Sequence, residues 1–239
     1  MKYGLTPDVP DTQDYIYKLS GLPLKTSNDL RLLFPPCWDQ GKLGQCTGEG
    51  ISGIVAFVHG FIGSPLWLYY KEREMEGSLT VDSGAQIRDG IKIVASLGLA
   101  SLESWPEDLS KWLECPPDTV NEGAKLQIAT EYYRLAGPSD FKDCLSVGHP
   151  IVIGLTLHSS FEGPDVASTG IVPMPVATDT VLGGHCIVIV GYTEAGDWIC
   201  RNSWGPNWGL SGYFILPKAY LDDMNLWADA WMIVKINNT

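Results

Sequence analysis

Two short stretches of this 239-residue sequence decide its fold: Asp39-Gln40-Gly41-Lys42-Leu43-Gly44-Gln45-Cys46 and, far downstream, Gly183-Gly184-His185-Cys186 followed by Arg201-Asn202-Ser203-Trp204-Gly205-Pro206-Asn207-Trp208-Gly209. Cys46 opens a segment with apolar residues at helical spacing, whereas His185 and Asn202 stand at the ends of two consecutive strand-like runs. A thiol in the first turn of a helix meets unpaired N–H groups and the positive end of the helix dipole, which favour the thiolate. The pattern predicts a nucleophilic cysteine on a helix and a His–Asn pair on a sheet.

The other residues of these stretches supply what a cysteine nucleophile needs, which is a base and a group that orients the base. His185 opens one predicted strand and Asn202 closes the next, so two adjacent antiparallel strands can bring them side by side. The amide oxygen of Asn202 can then accept the imidazole N–H and fix the tautomer. Gln40 and the backbone N–H of Cys46 are candidate donors to an oxyanion.

The periodicity of the remaining sequence predicts helices first and strands later. The predicted helices cover 46–61, 65–75, 85–97 and 140–147. The predicted antiparallel strands cover 128–135, 150–157, 186–193, 198–203, 212–216 and 231–236. This order is typical of an α+β fold with two subdomains and a cleft between them. We predict an extended arm over residues 1–30, a mainly helical subdomain over 31–121 and a mainly β subdomain over 122–239.

The composition excludes several classes of protein. Sixteen Lys and Arg against 28 Asp and Glu give a net charge of −12, so a nucleic acid or an acidic membrane surface is not an expected partner. The first twenty residues lack a signal-peptide pattern, which predicts a cytoplasmic protein. The six cysteines have no CxxC spacing, so we expect no metal site and read the cysteines other than Cys46 as buried, reduced core residues. The sequence calls for no cofactor and leaves the oligomeric state open.

Taken together, these motifs resemble the papain family of cysteine peptidases. Gln40 and Cys46 have the family's spacing, and His185 follows Cys46 by 139 positions (185 − 46), within the family's range of about 130–150. The stretch from Asn202 to Gly205, with Trp208-Gly209 and Gly212-Tyr213, matches the family's asparagine motif almost throughout. The resemblance covers roughly residues 37–236. It implies a papain-like fold, in which a helical subdomain and an antiparallel β-barrel-like subdomain flank the active-site cleft.

The resemblance also implies roles for individual residues. Carried over position by position, the catalytic residues are Gln40, Cys46, His185 and Asn202. The segment Asp82-Ser83-Gly84 resembles the family's substrate-binding glycine segment. Substrate-binding positions are then Gly44, Ser83, Gly84, Gly184 and Trp204. Among these, Trp204 is expected to cover the His–Asn hydrogen bond from water, and the glycines are expected to line the substrate with backbone.

Two departures from the family pattern stand near the nucleophile. The usual Cys-Gly-Ser-Cys-Trp is here Leu43-Gly44-Gln45-Cys46-Thr47, which removes a disulfide typical of secreted members and changes the wall beside the thiol. Only about thirty residues precede the predicted body, too few for the long inhibitory pro-domain of many relatives. The sequence therefore resembles prokaryotic or viral members that lack a long pro-domain.

Three functions use such a site. The first is hydrolysis of peptide bonds in a peptide or protein substrate through a thioester acyl-enzyme. The second is acyl transfer, in which an amine intercepts the thioester. The third is a catalytically silent homologue that only binds peptides. An apolar pocket drawn from Gly84 and the segment near Met224 and Trp227 predicts a preference for a bulky apolar side chain, and the irregular stretch 166–180 is long enough to block one end of the cleft.

The arm of residues 1–30 has two possible paths. Tyr3, Tyr15, Ile16 and Tyr17 are spare apolar groups that can dock on the β subdomain, so we expect the arm to wrap around it. At about 3.3 Å per residue, the arm is also long enough to cross the cleft and cover the active site.

Overall fold

A computed structural model describes residues 3–238. Within them an extended arm comes first, four helices follow, and a sheet with three further short helices between its strands comes last. The helices of the described region are α1 Cys46–His59, α2 Pro65–Met75, α3 Ile87–Ser96, α4 Asp118–Ala124, α5 Pro138–Ser146, α6 Pro164–Thr169 and α7 Lys218–Asp222. Short 3-10 turns lie at Arg31–Leu33, Leu109–Lys111 and Ser159–Glu162. None of the helices between residues 3 and 238 is long and apolar enough to cross a membrane.

The strands form one antiparallel sheet. They are β1 Asn28–Asp29, β2 Gln127–Leu135, β3 Ile151–His158, β4 Val181–Tyr192, β5 Trp198–Arg201, β6 Tyr213–Leu216 and β7 Trp227–Asn238. The strand order is β2-β7-β3-β4-β5-β6, and β1 pairs with β4. The predicted α+β class is confirmed, but the sheet is open, whereas a barrel-like sheet was expected. Strands β2 and β6 stand at opposite ends of the path and do not pair with each other.

Helix α1 is the central element of the fold. It packs against α2 on one side and against β4 and β7 on the other. Gly50 makes the approach to the sheet possible, because a Cβ there would lie 3.1 Å from both Cys186 Sγ and Val152 Cγ2. One continuous cluster of buried apolar side chains joins the helices to the sheet. The core thus holds the start of α1 against the strand that carries His185.

Some predicted boundaries were wrong, for physical reasons. Strand β4 begins at Val181, so His185 lies inside the strand, because the glycines before it still pair with β3. Helix α3 begins at Ile87 because Ala85 pairs with the arm. Helix α4 crosses position 121, and the change from helix to sheet comes after it. The division into subdomains at that position remains a prediction.

The arm is held along its length by polar contacts. Near its middle, Tyr17 donates its backbone N–H to the Arg134 carbonyl at 2.8 Å and its hydroxyl to Asp143 at 2.6 Å. Ser20 donates to the same carboxylate. This part of the arm wraps the β side of the molecule as expected, although Tyr15 and Ile16 remain exposed.

A buried ion-pair network fixes the first turn of the arm. The Asp14 carboxylate bonds to Arg88 at 2.5 Å and to Arg134 at 3.2 Å, and Arg134 also reaches Asp229 at 2.8 Å. The side chains of Asp14 and Arg88 are only 2% and 5% exposed. Breaking a buried pair is costly because it leaves an uncompensated charge inside the protein.

We therefore expect Asp14→Ala to lower the free energy of unfolding by about 3–5 kcal/mol, measured by urea denaturation. The matched control is Glu122→Ala, which removes the exposed Lys125–Glu122 pair and should cost no more than about 1 kcal/mol. Equal losses in the two variants would show that the Asp14 network does not hold the arm.

Candidate active site

Cys46 is the first residue of α1 and is completely buried. Its Sγ accepts the backbone N–H of Cys186 at 3.4 Å, across 140 positions of sequence. The backbone N–H groups of Gly4 and Thr47 also bond to this sulfur. The fold thus places the thiol at the positive end of a helix and beside the backbone that carries His185.

His185 and Asn202 are joined by a direct hydrogen bond. His185 Nε2 and Asn202 Oδ1 are 2.8 Å apart and buried. The Ser203 backbone N–H donates to the same Asn202 atom at 2.8 Å, so that atom must be the amide oxygen. An oxygen can only accept, so His185 Nε2 carries the proton and Nδ1 is the basic nitrogen. Nδ1 is buried and has no hydrogen-bond partner within residues 3–238.

Trp204 covers this pair. Its ring stacks on His185 with the centroids 4.9 Å apart and the planes inclined by 26°. Trp208 and Phe161 pack edge-on against Trp204, and Trp204 is only 5% exposed. The aromatic layer covers the His–Asn hydrogen bond, and a low local dielectric strengthens such a bond.

Gln40 is fixed by the same segment that carries Asn202. Its Nε2 donates to the Leu43 carbonyl at 2.9 Å, and its Oε1 accepts from the Ser203 hydroxyl at 2.5 Å. The Gln40 backbone N–H also donates to the Ser203 carbonyl at 3.0 Å. Gln40 is completely buried, so its amide is oriented on both sides.

The predicted substrate-binding glycines contact a peptide, and that peptide is the chain's own arm. Leu5 donates its N–H to the Gly184 carbonyl at 3.1 Å, Ala85 donates to the Gly4 carbonyl at 2.7 Å, and Thr6 donates to the Ala85 carbonyl at 3.0 Å. The arm runs parallel to the segment at Ala85. Residues 3–8 therefore occupy the cleft, so the arm covers the site as well as wrapping the β side.

The fit between arm and cleft is close at backbone level. A Cβ on Gly84, which has φ +75°, would lie 2.0 Å from the Gly4 carbonyl oxygen, and a Cβ on Gly4 would lie 1.9 Å from the Gly44 carbonyl oxygen. Ser83 is exposed, and its hydroxyl bonds to Ser78 and to the Gly84 carbonyl. Ser83 therefore supports the shape of the glycine segment and leaves the backbone contacts with the arm to its neighbours.

The side chains of the arm fill the space around the site. Tyr3 meets His185 edge-on, with centroids 6.4 Å apart. Leu5 lies over Gly154, where a Cβ would come within 2.3 Å of its Cδ2. Met224, expected to line the apolar pocket, is 76% exposed. The backbone of Gly154 lies beneath Leu5 instead, a contact that no apolar pattern in the sequence signals.

Burial sets the protonation of Cys46 and His185. Burial raises the pKa of Cys46 to about 11, although the N–H donors of Cys186, Gly4 and Thr47 oppose the rise. Burial lowers the pKa of His185 to about 4, against the opposite effect of the Asn202 hydrogen bond. With the arm in place, a neutral thiol faces a neutral imidazole at physiological pH.

Three carboxyl groups close to Cys46, two of them buried and one partly buried, were missed by sequence reasoning. Glu72 accepts the Thr47 hydroxyl at 2.6 Å, and burial raises its pKa to about 8. Glu49 and Glu107 share the side-chain amide of Gln45, and burial raises the pKa of each. In the sequence these three glutamates look like ordinary exposed acids on helices and loops. The only signal that they are hydrogen-bonded near Cys46 is the pair of polar residues beside it, Gln45 and Thr47.

Comparisons with known proteins agree with this geometry. Residues 87–230 match the papain family of cysteine proteases. The chain is 38% identical over 217 residues to an uncharacterized peptidase C1-like protein of Acanthamoeba polyphaga mimivirus, across 84% of this chain and 70% of that protein. It is 24% identical over 227 residues to cysteine proteinase 3 of Entamoeba histolytica, across 90% of this chain and 70% of that protein.

The solved structures give the same result. Xylellain, a cysteine protease from Xylella fastidiosa, superposes with a TM-score of 0.89 at 33% identity, covering 99% of this chain and 96% of that one. Procathepsin L 3 of Tenebrio molitor shares the fold with a TM-score of 0.73 at 19% identity, over 93% and 74% of the two chains. The expected similarity to prokaryotic and viral members is confirmed, and the chain belongs to the papain family of cysteine peptidases.

Proposed function

We propose that this peptidase acts through Cys46, His185, Asn202 and Gln40. The observation that carries the proposal is the buried His185–Asn202 bond of 2.8 Å beside a thiol at a helix start. His185 Nδ1 accepts the Cys46 proton, and Sγ attacks the substrate carbonyl carbon. The C–N bond breaks as His185 protonates the leaving amine. Water, deprotonated by His185, then attacks the thioester and releases the acid and the thiol.

Gln40 and the start of α1 supply the donors for the oxyanion that forms in both steps. The first N–H groups of a helix have no intrahelical acceptor, and Cys46 contributes the first of them in α1. The Gln40 amide is held by Leu43 and Ser203, so its orientation requires no rearrangement during the reaction. Such preorganised donors are commonly the largest single contribution to acyl-transfer catalysis.

Hydrolysis is favoured over the two alternatives. A silent binding protein does not need an oriented imidazole with a buried basic nitrogen, yet both are present here. An acyltransferase needs a place for an amine acceptor beside the thioester, and the described contacts of the Cys46 sulfur are with the N–H groups of Cys186, Thr47 and Gly4 of the arm. Papain-family membership supports protein substrates. We propose neither nucleic acids nor membranes as partners, because the net charge of −12 disfavours binding to acidic surfaces.

The arm also indicates how a substrate binds. A peptide in the cleft can use the same backbone partners, the Gly184 carbonyl and the N–H and carbonyl of Ala85. Leu5 marks the side-chain pocket, and its position over Gly154 supports the predicted preference for a bulky apolar residue.

We further propose that the arm holds the enzyme inactive. Gly4 presents an N–H to the sulfur, whereas acylation requires a carbonyl carbon at that place. Asp8 anchors the exit from the cleft: its N–H donates to Asp229 at 2.7 Å, and its carboxylate accepts from the Arg88 N–H and the Trp231 indole. A segment so bound blocks the substrate without being a substrate.

A reducing compartment such as the cytoplasm fits the cysteine chemistry. All six cysteines are unpaired, and five are buried. Cytosolic proteins keep their thiols reduced, whereas disulfides predominate in secreted ones. An active thiol also needs reducing conditions to stay at the sulfhydryl level.

The first prediction from this proposal concerns the nucleophile. Because the arm is proposed to block the site, this prediction and the next are measured in chains whose arm is released by Asp8→Ala. There Cys46→Ala should abolish hydrolysis of fluorogenic peptides and leave the melting temperature nearly unchanged, because the loss is chemical. Cys200→Ala is the matched control, since it removes an equally buried thiol from β5 and should keep activity. Turnover above a few per cent in Cys46→Ala would identify another nucleophile.

The second prediction concerns the pocket. Gly154→Ala should lower kcat/KM for peptides with leucine at the second position before the cleaved bond by about tenfold, and change it much less for alanine there, because the new methyl takes the space of a terminal methyl. Gly123→Ala is the control, because a Cβ there meets no atom within 4 Å. A uniform loss over all side chains would place the pocket elsewhere.

The third prediction concerns the arm and pH. In the intact chain, the rate of iodoacetamide alkylation at Cys46 should rise with pH until the pKa near 11 is passed, since the thiolate is the nucleophile. Deleting residues 1–10 should move the midpoint of this rise to lower pH, because burial is its main cause, and should raise activity on small peptides.

A point variant releases the arm from the cleft without deleting it, and so complements the deletion of residues 1–10. Asp8→Ala removes the anchor and should also raise activity, whereas Asp11→Ala, at a more exposed ion pair with Lys92, should not. Unchanged activity and an unchanged alkylation midpoint after the deletion would show that the arm does not inhibit.

A further inference from the structure

The two glycine walls of the cleft are joined by a side-chain network that the catalytic residues do not use. Gly44 donates its N–H to Asp82 Oδ1 at 3.0 Å, and the Tyr69 hydroxyl donates to the same oxygen at 2.5 Å. The Tyr69 oxygen in turn accepts the Gly84 N–H at 3.0 Å. One carboxylate and one phenol therefore bind a backbone N–H from each wall; we call this set the Tyr69–Asp82 clip.

The clip is rigid because its tyrosine is locked. Tyr69 lies on α2 and is completely buried. The Arg73 guanidinium lies over its ring, 4.4 Å from the centroid, and is itself bonded to the Leu79 and Trp112 carbonyls. Burial and the Asp82 carboxylate raise the pKa of Tyr69, so the hydroxyl keeps its proton and donates it.

The clip acts on the surfaces that bind peptide backbone. Gly44 and Gly84 both lie against Gly4 of the arm. Ala85, next to Gly84, makes two backbone hydrogen bonds with the arm, one with Gly4 and one with Thr6. No covalent tie holds the Gly44 loop, since Leu43 stands where many relatives have a disulfide-forming cysteine and no cysteine of the chain is paired. The spacing of the two walls therefore depends on the clip.

We propose that Tyr69 and Asp82 are positioning residues for substrate: they set the distance between the Gly44 and Gly84 walls and so the affinity for an extended peptide. The proposal rests on the peptidase function proposed above. It places the effect on binding, because neither residue has a described contact with Cys46 or His185.

The test is Tyr69→Phe in the full chain that also carries Asp8→Ala, because that change is expected to release the arm from the cleft; the Asp8→Ala chain is the parent. Phenylalanine keeps the ring and the Arg73 contact but loses both hydrogen bonds of the hydroxyl. With a short fluorogenic peptide, KM should rise about tenfold, the size expected for loss of a hydrogen bond to a charged group, while kcat changes by less than about twofold. Asp82→Asn keeps the shape and an acceptor oxygen, so its KM should lie between those of Tyr69→Phe and the parent.

Tyr70→Phe is the matched control, because it removes a hydroxyl from the next residue of the same helix, close to Cys115, and should leave both constants unchanged. A fall in kcat with unchanged KM, or equal effects of Tyr69→Phe and Tyr70→Phe, would overturn the proposal.

Amide hydrogen exchange tests the clip independently of activity. In Tyr69→Phe the amides of Gly84 and Gly44 should exchange faster than in the parent, while those of α1 stay protected. Unchanged protection at both glycines would overturn the clip. If exchange at both glycines is faster but the protein shows no Cys46-dependent hydrolysis, the clip is supported. In that case only the proposed peptidase function is contradicted.

Discussion

The close contact between the start of α1 and strand β4 is the constraint on which the site depends. Gly48 lies where a Cβ would be 2.6 Å from the Pro65 carbonyl oxygen, and Gly50 where one would be 3.1 Å from Cys186 Sγ. Glycines cost a helix about 1 kcal/mol each relative to alanine, so tertiary packing must hold α1 in place. A larger residue at Gly50 would require the side chain of Cys186 or Val152 to shift, next to the Cys186 N–H that bonds to Cys46 Sγ at 3.4 Å.

The parts of the structure that the sequence could predict are those encoded by local pattern. The helical spacing after Cys46 and the β-branched runs after residue 127 predicted the α+β class, and the motifs singled out His185 and Asn202, which are hydrogen-bonded in the structure. The packing of Trp204 on His185 followed the same motif. Boundaries were less accurate where tertiary pairing extends or shortens an element, as when Gly183 and Gly184 pair with β3 and lengthen β4.

The parts that could not be predicted depend on contacts between distant residues. The arm was expected to dock through the apolar groups of Tyr3, Tyr15, Ile16 and Tyr17, but its hold comes from polar contacts of Asp8, Asp14 and the Tyr17 hydroxyl. Their partners Arg88, Asp229 and Asp143 lie between 74 and 221 positions away. Hydrophobic periodicity carries no information about such pairs, because polar partners are chosen by geometry in the folded chain.

Occupation of the cleft and the chemistry of the nucleophile are linked by one physical cause. The backbone contacts of residues 4–6 that imitate a bound peptide also exclude water from Cys46 and His185, and exclusion of water disfavours both the thiolate and the imidazolium. In the function proposed above, the arm therefore acts twice, by filling the site and by contributing to the burial that keeps the pair neutral. Water that enters when the arm leaves restores solvation to both groups, while the N–H donors of Cys186 and Thr47 remain at the sulfur and continue to favour the thiolate. The proposed inhibition thus makes release of the arm and activation of the nucleophile a single event.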